Sequence, residues 1–375
     1  MTHAPTTDQH PLQSSSNVPA VALGSSSFCT VAETPGEVSD DCADVVEKWL
    51  ALSFTWSGKS FPLDIADSDR IFDLKVVLFS MTDVPPERQK ILGLVKGKLP
   101  PDDERIGNLG LVSGKKFTLV GTPQGRELKD PNQMELLSDV VNDLDVDFTA
   151  NPAAAESHKN DQRNIRKIRE ATEKLKINLI HPLREGKRLL VLDIDYTILD
   201  TKPLTSGALP PAECARPRLH EFLTAIYPFY DICIWSQTSW IWIETKLIEL
   251  GMLGGSQSYQ ISFVLDKTPM FTVFSQRDGK SYSHHVKPLR IIWNHFPQFN
   301  GKNTIHVDDL GRNFALNPKQ GLKISAFKDA HTPRAMADRE LDDLARYLLH
   351  IATIDDMQTL NHKDWKRIVR ALPPH

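Results

Sequence analysis

Periodic apolar positions begin only at Trp49. The residues before it are rich in Ser, Thr, Pro and Ala, lack the apolar surface needed to fold, and are expected to form a disordered tail over 1–48. From there Leu50, Leu52, Phe54 and Trp56 alternate with Ala51, Ser53 and Thr55, the period of a half-buried strand. Ser57-Gly58-Lys59 supplies a tight turn, and Phe61, Leu63 and Ile65 resume the alternation, which predicts a hairpin. Helical spacing follows over Asp69–Leu78 and stops ahead of Pro85-Pro86, since proline lacks an amide proton and restricts the residue before it. Ile91, Leu92, Leu94 and Val95 read as a third strand and Lys116–Val120 as another. The order β-β-α-β-β within 49–122 predicts a small sheet folded over one helix.

Residues 123–184 read as a linker followed by a charged helix, Ser157–Lys176. Its cluster Arg163, Arg166, Lys167 and Arg169 is either a basic recognition surface or a solvated face, and alternating charge on a helix makes the solvated face the expectation. Then Leu189-Leu190-Val191-Leu192 forms the unbroken apolar run of a strand buried on both faces of a parallel sheet. Tyr230–Trp235 and Asn303–Val307 read as a second and a third strand, with helical segments at Pro217–Ala225 and Leu289–His295. An α/β parallel-sheet domain is expected over 185–352. Two amphipathic helices, Leu341–His350 and Met357–Leu372, pack on it, the second within 353–375.

Composition narrows the class. A length of 375 residues is comfortable for two domains. A net charge of -4 and a pI near 6.4 argue against direct nucleic-acid binding. No apolar run approaches the ~20 residues a membrane helix needs. The amino terminus lacks the layout of a secretory signal, so the chain is expected inside the cell. Cys29, Cys42, Cys214 and Cys233 show no metal-ligand spacing and are expected to be isolated reduced thiols.

The chemistry sits where the apolar strand ends, at Asp193-Ile194-Asp195-Tyr196-Thr197. In open α/β sheets ligands bind beyond the carboxyl ends of the strands. Two carboxylates two residues apart repel unless a cation lies near, and Mg2+ is the usual occupant where phosphate also binds. One carboxylate can accept a phosphoryl group, and the other can protonate the leaving alkoxide and then deprotonate water. A calcium loop would need further acids, a glycine and a final glutamate, which are absent. Three more strand ends follow in order. Ser236-Gln237-Thr238 offers hydroxyls to phosphoryl oxygens, Lys287 balances charge just before a helix, and Asp308-Asp309 completes a magnesium site.

Two resemblances rest on these residues. Val84–Leu92, with the strand order, resembles ubiquitin, and the absence of a terminal di-glycine suggests a built-in domain. The Asp193–Thr197 motif, with Arg218–Thr224, Ile234–Thr238 and Asn303–Asn313, resembles the haloacid-dehalogenase-fold phosphatases. Within them it is similar to the RNA polymerase C-terminal-domain phosphatases, and to those that carry a ubiquitin-like domain, the proteasome phosphatases. The resemblance implies Asp193 as nucleophile and metal ligand, and Asp195 as general acid/base offering the metal its backbone carbonyl. It implies Ser236 and Lys287 as phosphate-binding groups and Asp308 as a further metal ligand. Asp309 is a ligand reached through water or lies just outside the metal. On the ubiquitin-like domain Leu92 and Val120 are implied as the partner contact, the proteasome regulatory particle as partner, and the nucleus as location.

Two insertion points bear on the substrate. About 30 residues separate Leu199 from Tyr230, too few for a lid domain. Between Met252 and Val286, the alternating segments Tyr259–Leu265 and Met270–Phe274 with the Asp278-Gly279 turn predict a small hairpin wall. An open cleft of this kind admits a phosphorylated protein segment, in a chain expected to be monomeric. Trp235, Trp240 and Trp242 are expected to pack in the core rather than bind peptide. A proteasome-binding adaptor with incidental catalysis is the alternative. An ATPase or dehalogenase of the same fold is disfavoured by Asp195.

Overall fold

The computed structural model describes residues 47–124, 152–255, 257–277 and 280–373. Residues 1–46 of the expected tail, the linker over 125–151 and the Asp278-Gly279 turn lie outside the described residues.

Strands β1 (Trp49–Trp56) and β2 (Lys59–Ala66) form the expected hairpin, with Phe54 opposite Phe61. Helix α1 (Ile71–Thr82) follows and ends where Asp83 takes a left-handed φ of 55°. Strand β3 is shorter than the sequence predicts, Lys90–Leu92, because Gly93 turns the backbone to a φ of 79°. Strand β4 (Lys116–Val120) returns parallel to β1, giving the order β2-β1-β4-β3. Ile71, Leu74 and Leu78 of the helix meet Leu50, Leu52, Phe54, Ile65, Phe117 and Leu119 in one core. This is a ubiquitin-like β-grasp domain.

The charged segment forms two helices, α2 (Pro152–Asn160) and α3 (Gln162–Lys174), broken at Asp161, whose carboxylate caps α3 by accepting from the Arg163 amide. The solvated-face expectation is overturned for Arg163 and Arg166, which are buried against the β-grasp domain. Arg163 donates to both oxygens of Asp73, each at 2.6 Å, and Arg166 pairs with Asp69 and Glu47. Acids on α1 and in the turn before it therefore supply the partners that solvent would otherwise supply. Their spacing along the chain gave no sign of that pairing.

The second domain is built on a parallel sheet of five strands in the order β11-β10-β5-β6-β7. Its strands are β5 (Arg188–Leu192), β6 (Tyr230–Trp235), β7 (Ile261–Leu265), β10 (Thr304–Asp308) and β11 (Gly321–Lys323). Short helices α4 (Thr201–Thr205) and α5 (Pro211–Cys214) lead to α6 (Leu219–Ile226), and α7 (Trp240–Glu249) joins β6 to β7. An antiparallel hairpin, β8 (Phe271–Arg277) with β9 (Lys280–Val286), stands between β7 and α8 (Leu289–His295). The predicted hairpin wall is thus β8–β9, whereas Ile261–Leu265 is a core strand. Its residues are all buried, which explains why alternation alone misplaced it.

Helix α9 (Pro333–Met336) precedes α10 (Glu340–Ile351), and α11 (Trp365–Ala371) is shorter than the expected Met357–Leu372, whose earlier part forms 3-10 turns at Met357–Thr359 and His362–Asp364. Leu341, Leu344, Tyr347 and Leu348 of α10 pack with Phe222 and Ile226 of α6, Trp365 of α11, and Leu190 and Ile232 of the sheet. Leu289 and Ile292 of α8 cover the opposite face with Val191, Cys233 and Phe263. Cys214 and Cys233 are buried free thiols. Among the described residues no helix is long and apolar enough to cross a membrane. Chain order along the sheet reverses between β5 and β10, so their carboxyl ends flank a crevice.

Candidate active site

The backbone that leaves β5 turns sharply. Tyr196 adopts a φ of 60°, unusual for a bulky residue, and its amide donates to the Leu199 carbonyl at 2.7 Å. The turn sends Asp193 toward the end of β10 and Asp195 toward the end of β6, and two side-chain clusters result.

In the first, the buried Lys287 ammonium lies between Asp193, to which it donates, and Asp308 Oδ2 at 2.7 Å. Asn313 Nδ2 donates to the same Asp308 oxygen at 2.8 Å, and the Leu310 amide donates to Oδ1 at 2.8 Å. The Thr197 hydroxyl donates to Asp193 Oδ2 at 2.9 Å and accepts from the Asp309 amide at 3.2 Å. Three buried carboxylates, Asp193, Asp308 and Asp309, thus lie together, the first two paired with the Lys287 ammonium, and each presents an oxygen within 4.8 Å of the others.

The electrostatics follow from that imbalance. Burial, then repulsion from Asp308, raises the Asp193 carboxyl to about 7. Burial, then Asp308 and Asp193, raises Asp309 to about 8. For Asp308 burial works against the charge, but Lys287 and His306 outweigh it and hold the group below the usual carboxylate range. Asp309 Oδ2 is buried and has no hydrogen-bond partner among the described residues. An orphaned carboxylate oxygen beside two others, with excess negative charge, is a donor set that fits a hard divalent cation.

In the second cluster Asp195 accepts at Oδ1 from Lys246 and from Thr201 Oγ1 at 2.6 Å, and at Oδ2 from Ser236 Oγ at 2.9 Å. Burial opposes its charge, and Lys246 more than compensates, so its pKa is lowered. Ser236 Oγ lies 2.9 Å from Thr238 Oγ1. The Asp195 side chain stands apart from the three-carboxylate group.

The residues named from the sequence in this domain therefore converge on one crevice. The sequence assigns no role to Lys246, Thr201, Thr197 or Asn313, although the last two lie inside the Asp193–Thr197 and Asn303–Asn313 stretches. Lys246 did leave a signal. Ile243, Lys246 and Leu247 form the buried stripe of α7, and a lysine in such a stripe requires a carboxylate partner. Trp235 is buried as expected and donates to the Asp266 carbonyl at 3.1 Å. Trp240 and Trp242 depart from the core expectation, at 41% and 46% exposed, because the apolar stripe of α7 turns them outward. On the β-grasp domain Leu92 and Val120 are 55% and 47% exposed on adjacent strands, with Leu92 opposite Thr118 and Lys90 opposite Val120.

The family model of NLI interacting factor-like phosphatases matches residues 188–358, from β5 through the end of the sheet and α10. A ubiquitin-like domain-containing CTD phosphatase 1 of Xenopus tropicalis is 43% identical over 323 residues, which cover 85% of this chain and 97% of that protein. The protein of the same name from Homo sapiens is 42% identical over 326 residues, with the same coverage of 85% and 97%.

Proposed function

The chain belongs to the ubiquitin-like domain-containing CTD phosphatases and is a phosphatase, and from that premise we propose that it hydrolyses phosphoserine and phosphothreonine in proteins, with magnesium bound, through a phosphoryl group carried on Asp193.

Asp193, Asp308 and Asp309 would hold the ion, together with the Asp195 carbonyl. When bound, magnesium offsets the charge of these carboxylates and of the phosphoryl oxygens. The rest is done by the chain's own groups. Lys287 and Thr197 each hold one oxygen of Asp193, so the carboxylate faces the substrate in a fixed plane. Ser236, Thr238 and Lys287 bind the phosphoryl oxygens. A carboxylate oxygen of Asp193 attacks phosphorus, the bond to the seryl oxygen breaks, and Asp195 delivers a proton to that oxygen. Lys246, Thr201 and Ser236 favour the charged form of Asp195 in the resting site. A phosphate dianion beside it works the other way and favours uptake of the proton that is passed on. Asp195 then takes a proton from water, the water oxygen attacks phosphorus, and the bond to Asp193 breaks to release phosphate.

The observation that carries this reading is the Lys287 ammonium held between Asp193 and Asp308 at the point where strand order reverses. Asp193→Asn, assayed on a phosphoserine peptide with magnesium, is expected to lose turnover at least ~10⁴-fold while its unfolding transition persists. Turnover equal to wild type would refute the scheme. A protein substrate is supported by the small size of the insertions described at the cleft, the short helices α4 and α5 after β5 and the β8–β9 hairpin after β7.

The Leu92 and Val120 face is proposed to dock the enzyme, as a monomer, on the proteasome regulatory particle in the nucleus and to bring that assembly's phosphorylated subunits to the cleft. The support is the exposed apolar pair on a ubiquitin-like sheet, a kind of surface that marks interaction sites, together with the family resemblance. An adaptor reading, with catalysis incidental, is opposed by the retention of both Asp195 and Lys287 in the site.

A further inference from the structure

We infer that Asp73 of the ubiquitin-like domain and Arg163 of α3 are positioning residues for the active site, because α3 is a strut between that domain and the segments that flank Lys287. The inference rests on the reading of Lys287 given above.

One side of α3 supports the site from behind. Ile168, with Ala171 and Leu175, packs against Val273 of β8, Val286 of β9, Ile291 of α8 and Ala315. Val286 immediately precedes Lys287. Ala315 lies two residues beyond Asn313, whose carbonyl accepts from the Lys287 amide at 3.4 Å.

The other side grips the ubiquitin-like domain and the hairpin at once. The Arg163 fork meets both Asp73 oxygens at 2.6 Å, and its remaining terminal nitrogen donates to the Thr272 carbonyl of β8 at 2.8 Å. Thr272 pairs in register with His285, two residues ahead of Lys287. Beside this contact the Phe274 ring lies 4.7 Å from the Arg70 guanidinium and 5.5 Å from that of Arg163, and the Phe72 ring meets its edge at 5.8 Å.

A forked arginine–carboxylate pair fixes orientation as well as charge. Both partners here are almost wholly buried, unlike the exposed pairs that suffice to tether a mobile module. A recruitment domain on a tether has no use for such a contact. The physical consequence runs from Asp73 through Arg163 to β8, from β8 across the hairpin to β9, and from β9 into Lys287. Lys287 must keep hydrogen-bond distance to two carboxylates at once, so small displacements of β9 are felt in phosphate binding.

The test uses the full chain with magnesium and p-nitrophenyl phosphate, in wild type, Asp73→Asn and Arg163→Lys, well below each unfolding midpoint. Orthovanadate inhibition reads the phosphate site directly. Both variants are expected to lower kcat/KM and weaken vanadate binding by about tenfold or more, since displacements near 1 Å cost that much or more. A stable Asp73→Asn protein with wild-type constants would overturn the inference and leave the phosphatase reading intact. Wild type with no activity toward this substrate would remove both. Should the charge variants not fold, Phe274→Leu loosens the same contact without stranding a buried charge. It is expected to shift both constants in the same direction, and wild-type constants there would likewise overturn the inference.

Discussion

At the scale of single residues, the site is defined by charge that does not cancel. Asp193 and Asp309 are raised to about 7 and about 8, in each case by burial first and neighbouring carboxylates next. Groups with raised pKa hold protons near neutrality in the ion-free protein, and a cation must displace them to bind. Apparent magnesium affinity is therefore expected to rise with pH from 6 through 8 and then level off, with proton release detectable by calorimetry in buffers of different ionisation heat. Affinity that is flat with pH would contradict the charge assignment. Lys246 makes a second case. Lys246→Met leaves the Asp195 carboxylate buried without its cation, and the denaturation midpoint should report a loss of about 3 kcal/mol, as when one partner of a buried pair is removed. The acids and the hydroxyls of Ser236 and Thr238 were legible in the sequence because each ends or follows a strand of the sheet, and Lys287 because it stands just before a helix. Lys246 and Thr201 were not, since they meet Asp195 only once α7 and α4 have packed.

At the scale of elements, periodicity located most strands and helices, and its failures share physical causes. Alternation places Ile261–Leu265 in the hairpin, although it is a core strand, because both of its faces are buried and alternation carries no information there. The α2–α3 break at Asp161 was missed because charge pattern alone does not reveal a side chain that caps the next helix. Charge pattern makes the basic residues of α3 look solvated because the partners of Arg163 and Arg166 lie about 90 residues or more earlier in the chain. Close packing also sets limits on the elements. A Cβ at Gly321, the first residue of β11, would run into the Phe314 ring. Gly321→Ala is expected to destabilise the domain by about 1–3 kcal/mol, as overpacking does, and to loosen the turn that carries Asn313. A thermal melt with an unchanged midpoint would show that the ring can yield.

At the scale of the whole molecule, the ubiquitin-like domain presents two different surfaces. Its helix side, through Asp69 and Asp73, is bonded to α3, whereas Leu92 and Val120 face outward from the sheet. Recruitment and catalysis should then separate by mutation. Leu92→Arg is expected to abolish capture of the proteasome regulatory particle while turnover of a free phosphopeptide stays within about twofold of wild type, since exposed substitutions perturb stability little. Retained capture would move the docking face elsewhere, and lost turnover would tie that face to the site. The two-domain order and the phosphatase class could be read from sequence, because each rests on local pattern and motif. The joint between the domains could not, because its ion pairs and ring contacts join residues distant in sequence.

The central claim is that Asp193 carries the phosphoryl group, and the most direct measurement is to trap it there. Wild-type enzyme with magnesium is mixed with a phosphoserine peptide, quenched in acid within the first turnover, and reduced with borohydride. An acyl phosphate at position 193 would be converted to homoserine, which peptide mass spectrometry identifies at that residue alone. Homoserine at Asp193 is the expected result. Complete turnover with no modified aspartate, or with the modification at another residue, would contradict the account.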